Sequence, residues 1–212
     1  MISAYHLIWT AYGWWLPNDP RGSNSRVVRV AQIADLGELH PGRKRILPAS
    51  TEIRRFYEVA RERLKYPLLV FTPKEIAVIA AGFGEVVRDR GYTCYACAVM
   101  PDHVHLVIRK HRDSAEQMIG HLQEASAAAV RAKPQARRGA DHPVWGGPGW
   151  KVFLESRGHI ERTIEYVRRN PMNARRPEQK WPFVTAYDGW LAGLGTKRRA
   201  KPQANLKPPF EQ

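Results

Sequence analysis

Apolar positions along this chain follow two rhythms. Alternation sends successive side chains to opposite faces of a strand, and spacing of three to four lines one face of a helix. Ala4 to Tyr12, rich in aromatic and β-branched residues, predicts a first strand. A loop rich in Pro, Gly, Asn and Asp follows through Gly22, and residues 21–50 show no clear period. Ile53, Phe56, Tyr57, Ala60 and Leu64 predict a helix over 51–65. Thr72-Pro73-Lys74-Glu75 reads as a helix start, with a capping threonine, a proline in the first turn and a glutamate to close a capping box. Ile76, Ile79, Ala80, Phe83, Val86 and Val87 form its buried stripe, and Gly91 ends it.

Tyr92–Val99 and His103–Lys110 predict two strands joined by a tight connection at Pro101-Asp102, hence an antiparallel hairpin. Ser114 to Arg131 predicts a helix, residues 133–150 a loop, Lys151 to Leu154 a last short strand, and Gly158 to Asn170 a helix stopped by Pro171. Setting aside an irregular insertion at about 21–66 leaves the order βαββαβ plus a C-terminal helix. That order builds an α+β fold, a ferredoxin-like antiparallel sheet with helices on one face. Residues 1–190 are expected to be a single domain, and the basic, proline-containing tail 191–212 to be disordered.

Composition changes this picture in one respect. Hydrophobic residues make up 43% of the chain, enough for a core, but the formal net charge is +14. A balance this basic points to a polyanion, most often nucleic acid. Residues 131–212 hold 17 Lys and Arg against 7 Asp and Glu, so most of the excess lies there. No apolar run reaches the roughly 20 residues of a membrane span, and the start has no signal-peptide pattern; a cytoplasmic, nucleoid-associated bacterial protein with no membrane partner is expected. Cys94 and Cys97 form a lone C-x-x-C within a strand. Residues three apart on a strand face opposite ways, so both are read as structural thiols.

Candidate chemistry centres on Met100-Pro101-Asp102-His103-Val104-His105-Leu106-Val107-Ile108. His103 and His105 project from one strand face, while Val104, Leu106 and Ile108 project from the other. Two imidazoles side by side can grip a divalent metal; a half-buried edge strand with two solvated histidines is the competing reading. On the helix 158–170, Tyr166 and Asn170 are four apart and share a face. Read singly, they are a boundary tyrosine and a helix cap. Arg162, Arg168, Arg169, Arg175 and Arg176 surround them and can hold phosphates. Trp14, Trp15, Trp145, Trp150 and Trp181 lie in loops or near element boundaries, where an aromatic ring either stacks unpaired bases or fills a core edge.

Taken together, Tyr5-His6-Leu7-Ile8-Trp9-Thr10-Ala11-Tyr12-Gly13, Ala98 to Val107 and Ile164-Glu165-Tyr166-Val167-Arg168-Arg169-Asn170-Pro171 resemble the IS200-like single-tyrosine transposases of the HUH family, and within them the REP-associated tyrosine transposases. The resemblance spans roughly residues 4–185 without the insertion. It implies that the C-terminal helix is catalytic, that Tyr166 is the nucleophile, and that His103, His105 and Asn170 hold Mg²⁺ or Mn²⁺. It also implies a single-stranded or hairpin DNA substrate and a possible homodimer. The expected activity is that of a metal-dependent single-stranded DNA endonuclease and strand transferase working through a 5′-phosphotyrosine. A tyrosine hydroxyl with a reference pKa of about 10 is a weak nucleophile unless held in line beside such a metal. The bond energy kept in the phosphotyrosine would allow rejoining without ATP.

Other His-x-His enzymes fit less well. A histidine-triad hydrolase needs a third alternating histidine where Val107 stands, and a metallo-β-lactamase-like site wants Asp-His where Val107-Ile108 stand. A replication or mobilisation nickase with the same chemistry remains an alternative, as does a non-catalytic DNA-binding protein.

Overall fold

A computed structural model of the chain describes residues 1–23, 25, 28, 31–42, 44–132 and 141–193. The element order is β1 (Ala4–Thr10), α1 (Ser50–Arg63), α2 (Pro73–Arg90), β2 (Cys94–Val99), β3 (His103–Arg109), α3 (Ala115–Arg131), β4 (Trp150–Leu154) and α4 (Arg157–Asn173), with a short 3-10 helix at Ala31–Leu36. Most of the tail expected to be disordered (194–212), and part of the 133–150 loop, fall outside the described residues.

The strands form one four-stranded antiparallel sheet in the order β2-β3-β1-β4. This is the ferredoxin-like arrangement expected from βαββαβ, with β3 and β1 in the middle. The helix signals behave as their chemistry dictates. Thr72 and Glu75 make the capping box of α2, and Gly91 closes it at φ 69°, a left-handed conformation that costs glycine little. Ser114 and Gln117 form the equivalent box on α3.

Alternation along the strands gives the sheet two cores. Leu7, Trp9, Val99, Val104, Leu106 and Ile108 pack with Ile79, Phe83, Met118 and Leu122 of α2 and α3. On the opposite face, Ala4, Ala98 and Val107 pack with Ile160 and Val167 of α4. A third, small cluster of Leu16, Ile33, Phe56, Tyr57 and Ala60 lies in the insertion.

Two expectations are corrected. Cys94 and Cys97 do not face opposite ways. A bulge between Cys94 and Ala96 shifts the pleat by one residue, so both thiols enter the α2–α3 core while Tyr95 and Ala96 enter the other. Both cysteines are free and buried, and burial pushes the Cys94 thiol up to about 12. Nor does Pro171 stop α4. The helix runs through it to Asn173. The missing proline N–H costs only one bond near the end of the helix, the ring is buried, and Ala174 N–H to Asn170 O (3.2 Å) and Arg176 N–H to Pro171 O (2.9 Å) close the terminus.

Candidate active site

β3 lies between β2 and β1, so the reading of 103–109 as an edge strand with solvated histidines is excluded. The β2–β3 turn, closed by Met100 N–H to His103 O at 2.7 Å, places His103 at the strand start. His105, two residues on, shares its face and is buried. Their rings stand 4.9 Å apart, edge to face. α4 crosses this same face, and Tyr166 projects from it onto the histidines. Its ring centroid lies 5.6 Å from that of His105 within one chain. Tyr166 keeps 51% of its surface in solvent, open to a ligand from outside. Asn170, one turn further along α4, is half-buried.

Three neighbours to which the sequence assigned no role complete the arrangement. His6 of β1 stacks on His105, and its Nε2 is 3.0 Å from His105 Nδ1. Asp102 Oδ1 is 2.7 Å from His103 Nδ1. His159, in the first turn of α4, acts on His6 through its charge. Asp102 was visible in the motif but read only as a turn residue. His6 gave no local signal: its partner is 99 residues away, and only the β1–β3 register (His6 opposite Val107, Ile8 opposite His105) brings the two together.

These contacts constrain the imidazoles. Burial pushes His6 down to about 4, with a smaller contribution from His159. Burial, then His103 and His6, hold His105 well below its usual value. Both rings are neutral at neutral pH, the form that ligates metals. A bond between two imidazole nitrogens needs one donor. When His105 Nδ1–H donates to His6 Nε2, the Nε2 of His105 keeps its lone pair. In the same way, His103 Nδ1–H donating to Asp102 leaves His103 Nε2 free. Burial alone would raise the Asp102 carboxyl, but the hydrogen bond from His103, helped by the Arg21 charge, holds it below its usual range.

Metal-binding histidines are commonly oriented in this way, through the nitrogen that does not bind. Among the described residues no three His, Cys, Asp or Glu side chains enclose a metal position. Asn170, one turn beyond Tyr166 on the helix that faces the histidines, carries a donor of another type, an amide oxygen. Two imidazoles, one amide oxygen and open positions suit Mn²⁺, or Mg²⁺ with retained water.

The IS200-like transposase family matches residues 63–170, just over half of the 212-residue chain, a span containing His103, His105, Tyr166 and Asn170. The chain belongs to the IS200-like transposase family. No curated protein matches it. Among solved structures, a REP-associated tyrosine transposase bound to a REP hairpin has a TM-score of 0.43 at 11% identity, over 81% of this chain and 68% of that one. A protein assigned as a transposase from Deinococcus radiodurans R1 has a TM-score of 0.39 at 17% identity, over 78% of this chain and 92% of that one.

The remaining candidate residues of this IS200-like transposase separate into two groups. Arg162, Arg168, Arg169, Arg175 and Arg176 are all exposed on or just after α4. Arg169 pairs with Glu165 at 2.6 Å and Arg168 with Glu178 at 3.6 Å. The tryptophans divide more sharply. Trp14 donates to Leu69 O at 2.7 Å and packs against two cores. Trp145 lies against Trp9 and Phe71, and Trp181 packs on the same core. Trp15 and Trp150 stay exposed. Among the described residues no helix is long and apolar enough to cross a membrane.

Proposed function

We propose that this IS200-like transposase nicks and rejoins single-stranded, hairpin-bearing DNA through a covalent link to Tyr166. The observation that carries this reading is Tyr166, exposed, with its ring 5.6 Å from that of His105, whose Nδ1 is already engaged by His6. The hairpin follows from the REP-associated resemblance of residues 164–171.

His103 and His105 through Nε2, with the Asn170 amide oxygen, would hold Mg²⁺ or Mn²⁺. When bound, the ion supplies charge stabilisation to a phosphoryl oxygen. The protein residues do the rest. Tyr166 Oη attacks the phosphorus and loses its proton to solvent. The P–O3′ bond breaks, and the leaving oxygen takes up a proton to become a free 3′-OH. The 5′ side stays on Tyr166 as a phosphodiester, and attack by another 3′-OH reverses the step. His6 and Asp102 fix the two imidazoles, so that Tyr166 and the phosphate meet in a preset geometry. The exposed arginines of α4 steer the strand through its phosphates. The chain itself carries all these groups. The work is assigned to a single domain over residues 1–190, acting where DNA is.

A labelled hairpin oligonucleotide incubated with protein and Mn²⁺ should give a denaturation-resistant adduct, lost in Tyr166→Phe. An adduct of equal yield in that variant would remove the assignment. A replication or mobilisation nickase would show the same adduct; sequencing the captured ends separates the two, since termini at hairpin repeats favour transposition.

A further inference from the structure

The match to the family covers residues 63–170, and an exposed aromatic side chain held by several neighbours lies outside it. Trp15 adopts φ 54°, a left-handed conformation that a bulky residue rarely takes. It nevertheless keeps 40% of its surface in solvent. Such strain persists only where the surroundings over-determine it, and it gathers at functional sites.

The surroundings here are specific. The Arg21 guanidinium lies 4.0 Å from the centroid of the Trp15 ring. Arg21 is gripped by Asp19, Nε to Oδ1 at 2.8 Å and Nη2 to Oδ2 at 2.7 Å, and the Asp19 side chain is fully buried. Tyr57, from α1 in the insertion, donates its hydroxyl to Asp19 Oδ2 at 2.5 Å and accepts from the Trp15 backbone N–H at 2.8 Å. The Trp15 indole donates to Gly22 O at 2.8 Å. Gly22 itself, at φ 86°, passes so close to Gly42 that a Cβ there would run into the Gly42 oxygen.

A buried charge pair with full hydrogen bonding fixes geometry more than it adds stability. What it fixes here is an indole and a guanidinium, stacked and held at the surface. Their place matters too. Thr10 is the register partner of His103, and its hydroxyl donates to Trp14 O at 3.0 Å, folding the loop back onto the end of β1. Ala11 N–H donates to Asp102 O at 2.8 Å. The loop that carries Trp15 and Arg21 therefore springs from the end of the sheet where the candidate site begins, and the Arg21 charge is near enough to act on the Asp102 carboxyl.

From this arrangement we infer that Trp15 and Arg21 form a stacking platform for an unpaired nucleobase of the single strand flanking the scissile phosphate, and that the insertion carrying Tyr57 serves to hold it. The inference rests on the single-stranded DNA substrate proposed above. An aromatic face beside a guanidinium suits any base, because every base has a π face and the cation adds attraction. The base must be unpaired, since a base inside a duplex has its faces covered by its neighbours.

The test compares two labelled probes by fluorescence anisotropy: a 20-nucleotide oligothymidylate, and the same phosphate backbone with abasic sites throughout. The wild type should prefer the oligothymidylate. Trp15→Gly, which relieves the left-handed strain but gives up the indole's bond to Gly22 O, should stay folded at the assay temperature, bind the abasic strand as before and bind the oligothymidylate about 10-fold more weakly. Trp15→Phe should retain most of the preference. As an independent readout in the wild type, an oligothymidylate carrying 5-iodouracil should crosslink under ultraviolet light to a peptide containing Trp15.

Unchanged oligothymidylate binding in Trp15→Gly overturns the platform while leaving the single-strand reading intact. Equal loss of both probes, or a crosslink only elsewhere, also overturns it by reducing Trp15 to a structural residue. A wild type that binds neither strand removes the platform and the single-strand reading together.

Discussion

On the sheet face under α2 and α3, Leu7, Trp9, Val104, Leu106 and Ile108 are sealed from water. On the face under α4 the same strands present His6, His103 and His105. The first face is two-helix packing against a continuous apolar layer, and each side chain there contributes through burial. The second is covered by one helix whose Tyr166 is half in solvent, and its buried polar groups satisfy one another. The two-residue period of a strand makes this division possible: stability and chemistry alternate along seven residues of β3. A residue can thus be changed for one purpose with limited effect on the other.

Four measurements test that division. Tyr166→Phe should abolish the DNA adduct entirely while shifting stability by no more than about 0.5 kcal/mol, as for other exposed positions; a gel assay and a melting curve read the two effects. Leu106→Ala, on the dry face, should destabilise the fold by about 2–5 kcal/mol in denaturant titration, and below its melting range it should still form adduct. Loss of adduct in a folded Leu106→Ala would show that the faces are not separable.

Next in size is His6→Leu, which removes the acceptor for His105 Nδ1–H. Its expected effect is about 10- to 100-fold weaker Mn²⁺ binding, measured by electron paramagnetic resonance titration of the DNA-free protein, with His6→Asn recovering part of it.

The last effect vanishes at neutral pH and is confined to alkaline pH. Burial raises the Cys94 thiol from its usual value near 9 to about 12, so the folded chain holds a proton that the unfolded chain releases. That contribution is complete below pH 9 and is lost as pH rises toward 12, at about 1.4 kcal/mol per unit. Cys94→Ala should flatten the stability profile in this window, and an unchanged slope would place the thiol in a wetter setting than the dry face.

Residue order alone carried much of this division. The Thr72-Glu75 and Ser114-Gln117 caps, the Gly91 terminus and the alternation of 103–109 are local signals, and local backbone energetics honours them. The pairing of His103 with His105 on one face, and of Tyr166 with Asn170 on one helix, follows from period alone. Three features did not follow. The phase shift at Cys94 arises from a bulge, which only the register with β3 imposes. The continuation of α4 through Pro171 depends on the burial of that ring and on the turn that closes behind it. Trp14 and Trp15, adjacent and chemically identical in sequence, were separated by loop geometry that sends one ring into the core and braces the other at the surface.

The sequence by itself thus determined the elements, the two-faced strand and the chemical types available to the site, because periods of 2 and 3.6 are properties of the backbone. Tertiary structure alone decided which distant residues complete that site. His6 meets His105 across 99 residues through sheet register, and Asp19, Arg21 and Tyr57 close a network across 38. Such contacts depend on how whole elements are aligned, and no local pattern in the chain encodes that alignment.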